Sequence, residues 1–239
     1  MALNMQPVYV LASGGSRAME QLDTITNNIA NANTAGFKRV LMEEMSQKIP
    51  QNGGDSANLF VFARFKDSPV ILEQGSLRFT QNGFDFAIEG EGFFVVENGA
   101  GEELLTRNGH FFLNAEGYLV DDGGNYVLDE DSKRISLDGD KEISVGSDGR
   151  IFQNGVYITK LKTLNYESVY AAGEGYYRPR GAAKESNGRI LQGYLESSNV
   201  NVVKEMSDMI VAQRRFEIYG NLIRSLDALE QKSNEIGKA

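Results

Sequence analysis

The sequence predicts an α+β protein: long amino- and carboxyl-terminal helices pairing as a coiled coil, with a central antiparallel all-β domain. Three observations carry that expectation. Proline stands only at positions 7, 50, 69 and 179, so 8–49 and 180–239 are free of it. Apolar residues recur near both ends at alternating spacings of three and four. Glycine is concentrated between Gly75 and Gly188, which hold 18 of the 26, where average usage of about 7% would place roughly eight.

The amino-terminal helix follows from Val8, Leu11, Gly15, Ala18, Leu22, Ile25, Ile29 and Ala32, an apolar seam of coiled-coil type. Pro7 falls where a first-turn proline is tolerated. The helix is expected to stop within Asn31-Ala-Asn33-Thr34-Ala-Gly36, because Asn and Gly accept the left-handed terminal conformation. At ~1.5 Å per residue, 8–32 spans about 38 Å. Residues 37–74 form a connection with little periodicity, and Asn52-Gly-Gly-Asp-Ser56 within it reads as flexible.

Strands are expected at Phe84–Ile88, Gly92–Glu97, Phe111–Leu113 and Gly117–Val120. Turn signals punctuate them at Asn82-Gly83, Asn98-Gly99, Asn108-Gly109, Asp122-Gly-Gly-Asn125, Asp138-Gly139, Asp148-Gly149 and Asn154-Gly155. The carboxyl-terminal helix should run from about Val202 to Ile236, capped by Ser198 or Asn199, and extend about 50 Å. Its stripe reads Val202, Met206, Met209, Phe216, Tyr219, Leu222, Leu226, Leu229 and Ile236. Ile210, Val211, Ile218 and Ile223 then lie on its flanks and call for neighbours. The domains expected are 1–36 with 200–239 as a helical unit, 37–74 as a connection, and 75–199 as the β domain.

Composition narrows function. The 239 residues carry 24 basic and 33 acidic side chains, a net charge of −9. Such a chain repels phosphate backbones, so nucleic acid is not an expected partner. The absence of Cys excludes disulfides and thiolate metal sites, and His110 is the only histidine. No run approaches the ~20 apolar residues a membrane span needs. The first basic residue is Arg17, so a cleaved secretory signal is not expected. The acidic groups Asp121-Asp122, Asp129-Glu130-Asp131 and Asp138-Gly-Asp140 lack the spacing of a calcium loop and read as solvated turns. His110 has no nucleophile motif beside it and reads as a turn residue. No catalytic residue, cofactor or metal ligand is assigned.

One stretch is specific. Thr26-Asn-Asn28-Ile-Ala-Asn31-Ala-Asn33-Thr34-Ala-Gly36-Phe37-Lys38-Arg39 resembles the amino-terminal signature of bacterial flagellar rod and hook proteins. Gly75–Val95 with Thr106–Phe111 is similar to that family's central domain, and Gly193–Met206 with Met209–Arg214 to its carboxyl-terminal signature. The resemblance implies a structural subunit of the basal-body rod, with no enzymatic activity. Its helices would form a coiled coil whose copies assemble into a hollow, torque-transmitting periplasmic axle. Implied partners are other copies of the chain and neighbouring rod proteins, with the surrounding bushing rings as a further contact. Export would run through the flagellar apparatus without a cleaved signal. Leu22, Ile25, Ile29, Met206, Met209 and Phe216 are the residues expected to pack within and between chains. Asn28, Asn31, Asn33, Gly36 and Phe37 are expected to shape the junction below the helix. A proximal and a distal rod form both remain open, the Gln231-Lys-Ser-Asn234-Glu-Ile236 end being closer to the proximal one. A cell-wall enzyme and a carbohydrate-binding module are the alternatives.

Overall fold

The structure is a computed structural model that describes residues 6–48, 61–67, 69–139 and 141–236. The described residues fall into two compact units. One takes those within 1–30, 41–68 and 201–239, the other those within 31–40 and 69–200. The Asn52–Ser56 segment lies outside the described residues.

The first unit is built on α1 (Gln6–Ala30) and α2 (Val202–Ile236). Between them in sequence, β1 (Glu43–Lys48) and β2 (Val61–Asp67) pair antiparallel, a ladder for which the sequence showed no periodicity. α1 and α2 run antiparallel along one another. Asn28 near the end of α1 donates from Nδ2 to Glu205 Oε2 at 3.2 Å near the start of α2, and Gly14 lies against the Tyr219 ring. Glycine at 14 and 15 removes the side chains that would hold the helices apart at that crossing.

The inward line of α2 differs from the expected stripe. Glu205 and Ala212 are fully buried, with Val202, Met209, Tyr219, Ile223 and Leu226 half-buried along the same spacing of three and four. Met206, Leu222 and Leu229 instead face outward, Met206 at 52% exposure. The expected stripe followed the largest apolar residues and so picked up two consecutive steps of three. The helices meet through a small residue and a hydrogen-bonded carboxylate, which hydrophobicity alone does not mark. The cap is also shifted: Asn201 Oδ1 accepts from the Lys204 amide at 3.0 Å. Asn199 is engaged elsewhere.

The second unit is antiparallel throughout its ladders. Its strands in chain order are β3 (Leu77–Phe79), β4 (Phe86–Glu89), β5 (Phe93–Glu97), β6 (Glu103–Thr106), β7 (Phe111–Leu113), β8 (Leu119–Asp121) and β9 (Tyr126–Val127). There follow β10 (Ile143–Val145), β11 (Arg150–Gln153), β12 (Val156–Lys160), β13 (Thr163–Asn165), β14 (Ser168–Gly173) and β15 (Tyr176–Arg180). The last three are β16 (Lys184–Glu185), β17 (Arg189–Gln192) and β18 (Tyr194–Glu196). The main sheet runs β14-β15-β6-β5-β9-β8-β7, with β13 beside β5 and β16 beside β13. A three-stranded sheet, β10-β11-β12, and the pairs β17-β4 and β18-β3 complete the unit.

β5 explains the core. Phe94 and Val96 enter one hydrophobic cluster with Phe86, Phe111 and Leu119, while Phe93 and Val95 enter a second with Leu105, Val169 and Tyr177. A strand covered on both faces needs a continuous apolar run, which is what Phe93–Val96 supplies.

The turn signals have mixed outcomes. Asn154 and Gly155 both take positive φ, 49° and 79°, joining β11 to β12 in two residues. Asn108-Gly109, by contrast, joins β6 to β7, which are not neighbours in the sheet. A Cβ on Gly109 would run into the Phe86 carbonyl, so this glycine serves a close backbone crossing and not a hairpin. The first acids of two clusters are buried, contrary to their reading as solvated turns. Asp121 accepts from the Gly123 and Asn125 amides, and Asp129 from the Asp131 and Lys133 amides. A carboxylate folded back onto its own turn satisfies the amides and leaves solvent.

Ala212→Leu should destabilise the isolated chain by about 1–3 kcal/mol through overpacking. Met206→Ala, at an outward position, should shift thermal unfolding by no more than about 0.5 kcal/mol. Circular dichroism melts of the two variants check both.

A buried charged junction as candidate functional site

Gly36, Phe37 and Lys38 follow the asparagine-rich segment, and Glu196 to Asn199 precede α2; within the β unit these two segments lie side by side. The Gly36 amide donates to the Glu196 carbonyl at 2.7 Å, and Asn199 N to Phe37 O at 3.4 Å. Gly36 has a φ of +68°, and a Cβ there would run into the Arg107–Asn108 backbone. Two constraints therefore hold this position to glycine.

Beneath them lies a charged triad. Glu196 holds Lys38 Nζ at 2.6 Å through Oε1 and Arg107 Nη1 at 3.1 Å through Oε2, all three being almost completely buried. The remaining valences are largely filled: Oε1 also accepts from the Gly75 amide, Lys38 Nζ donates to Glu73 O, and Arg107 donates to Ile88 O and Gly90 O. Burial pulls the Lys38 ammonium below its ordinary pKa, and Glu196 opposes that pull. Burial likewise lowers Arg107, again opposed by Glu196. The Lys38 amide donates to Tyr177 Oη at 2.7 Å. Asn199 completes the junction, accepting from Arg39 N at 2.7 Å and donating to Ile71 O and Glu73 O.

Both oxygens of this carboxylate are taken up by contacts within the fold. A buried ion pair also adds little net stability compared with an apolar replacement, but losing one partner is costly. What the arrangement does is fix which segments lie together, since only one register brings Lys38, Arg107 and Glu196 into contact.

The residues singled out from sequence are distributed as follows. Ile25 is buried, Leu22, Ile29 and Met209 are half-buried, and Met206 and Phe216 are exposed. Asn28 is buried against Glu205, Asn31 accepts from the Thr34 hydroxyl at 3.2 Å, and Asn33 is exposed. Gly36 and Phe37 are buried in the junction. Lys38, Arg107, Glu196 and Glu205 were not singled out, although each lies in or beside a quoted motif. Charged residues are ordinarily surface residues, so composition gave them no weight. A lysine, an arginine and a glutamate each embedded in aromatic and glycine-rich runs was the available signal. His110 Nδ1 lies 2.7 Å from the buried Asp85 carboxylate and is not hydrogen-bonded to any hydroxyl among the described residues.

A helical pair and a β unit with a charged clamp at its chain entry describe a structural protein built around packing. Comparison with known proteins makes this specific. Three family models match: "Flagella basal body rod protein" over residues 8–38, "Flagellar hook protein FlgE/F/G D1 domain" over 87–153, and "Flagellar basal body rod FlgEFG protein C-terminal" over 191–236. The chain is 34% identical to flagellar basal-body rod protein FlgF of Mesorhizobium japonicum, over 91% of each chain. It is 33% identical to FlgF of Caulobacter vibrioides over 97% of this chain and 98% of that one. It is 30% identical to flagellar basal-body rod protein FlgG of Agrobacterium fabrum over 94% and 97%. The chain belongs to the flagellar basal-body rod protein family, whose members are structural subunits of the basal body and not enzymes.

Glu196→Ala should cost about 3–5 kcal/mol, because two buried cations lose their counter-ion; chemical denaturation measures it. The junction also predicts an alkaline limit. Burial raises the phenol pKa of Tyr177, and of Tyr176 beside Asp121, above the ordinary value of 10.0. A raised folded pKa gives stability that is complete below pH 10 and is lost as the pH rises beyond it, because the unfolded chain ionises first. Burial raises Tyr166 as well, so phenolate absorbance should show three late-titrating tyrosines in the native protein and none in denaturant. Tyr177→Phe should remove one of them.

Proposed function

We propose that the chain is a proximal-rod subunit of the FlgF kind, whose α1 and α2 form a two-helix coiled coil that adds to other copies and to neighbouring rod proteins. The observation that carries the assembly reading is an apolar surface on α2 turned away from α1. Val203, Met206, Ile210, Val211, Ile218, Leu222 and Leu229 are all exposed, while the opposite side of the same helix is buried on α1. A helix apolar on two faces wants two neighbours. α1 adds Tyr9, Val10 and Met19.

Contacts of this type are heterologous, so the surface that receives one copy differs from the surface that offers itself to the next, and helical order follows. Long helices side by side then resist twisting about the axis they share, which suits an axle in the periplasm. The FlgF assignment is supported by identities of 33–34% to FlgF relatives against 29–31% to FlgG relatives. The FlgG alignments stretch over 253–260 positions against 231–247 for the FlgF relatives, whose span is nearer the 239 residues here. The Leu22, Ile25, Ile29 and Met209 side chains serve the pair itself, while Met206 and Phe216 serve the contact between chains. Passage out of the cytoplasm through the flagellar export channel belongs to the same reading.

Ile210→Asp should leave the monomer's melting curve within about 0.5 kcal/mol of the parent and abolish swimming in a strain carrying only that copy. Rods of normal length and motility in that strain would defeat the assembly reading.

A further inference from the structure

The β unit holds a cavity of about 560 Å³ beside the charged junction, within the size range of small-molecule sites. One wall is apolar: Leu72 and Tyr166 line it and pack against the second core cluster. The Glu91–Gly92 wall is preformed. Ser186 Oγ donates to Glu91 O at 2.6 Å, and Gly92 sits at φ +135° with no room for a Cβ beside Ser186.

The polar lining is mixed in sign. Glu91 Oε2 accepts from Asn165 Nδ2 at 2.7 Å, and Lys184 Nζ stands 3.5 Å from Glu167 Oε2. The Glu73 carboxylate lines the cavity and makes no hydrogen bond or ion pair among the described residues. Arg107 lines the cavity as well, and the triad it forms with Lys38 and Glu196 carries one excess positive charge. Three lining carboxylates set against Lys184 and that charge leave one negative charge in excess. No group of acidic residues or histidine converges as a metal site among the described residues.

The excess negative charge repels an anion, and a cation cannot satisfy donors and acceptors together. A hydroxyl both donates and accepts, so it can bridge free carboxylate oxygens, the Asn165 carbonyl and the remaining ammonium protons. The apolar wall accommodates the C–H face of a ring. We propose that this cavity binds a neutral, hydroxyl-rich ligand, a short saccharide.

Titration calorimetry on the full chain tests this with maltotriose, cellotriose and triacetylchitotriose, and with trilysine as the cationic rival. At least one trisaccharide should bind saturably, and trilysine should not. Asn165→Ala and Glu91→Gln should each weaken binding about three- to fivefold, the effect of one lost hydrogen bond where solvent reaches the site. Their melting curves should stay unchanged, which separates lost binding from lost folding. Failure of all three sugars to saturate, unchanged affinity in Asn165→Ala, or preferential binding of trilysine would each overturn the proposal.

Discussion

The β unit's chain entry depends on one carboxylate. Glu196 stands out of water between Lys38 and Arg107, and neither cation could be buried there without it. The three residues come from distant points of the chain, so their meeting specifies a single arrangement of the segment after α1, the segment before α2 and the loop after β6. Around that contact the amides of Gly36, Lys38, Arg39 and Gly75 all find acceptors. The energy is large gross and small net. The value of such a group lies in excluding other registers, which an equally buried apolar cluster would tolerate.

The helical unit uses the same device more sparingly. Asn28 and Glu205 are buried between α1 and α2, and on the same helices Ala18, Ile25 and Ala212 are buried while Leu22, Ile29 and Met209 are half-buried. A polar pair at one level of an otherwise apolar seam fixes how far one helix slides along the other. The pair therefore fixes axial position, and the apolar groups around it supply the burial.

How far this was legible from sequence can be argued residue by residue. The two helices were, because periodicity over 25 and 35 residues is hard to produce by chance and no proline interrupts it. Strand β5 was, because its run of large apolar residues lies between turn signals, but the covering of both its faces was not read from the sequence. The inward face of α2 was only partly legible. Pattern reading weights size and hydrophobicity, whereas close approach favours Ala212 and a satisfied Glu205. The β1–β2 ladder carried no alternation, and Asn108-Gly109 imitated a hairpin signal while serving a backbone crossing. The junction was hidden for a different reason. Its charged members are ordinary in composition and become unusual only once three remote segments converge, which no local window can register.

The chain passes from one unit to the other at 30/31, 40/41, 68/69 and 200/201, and Asn28 meets Glu205 across 177 positions of sequence. Neither unit is a contiguous length of polypeptide. Closure of α1 must wait for the final stretch to emerge, and a loop of that size forms slowly relative to local structure. Through most of its synthesis the molecule therefore holds an orphan first helix, a built-in delay that keeps the completed shape from setting before the whole thread is available.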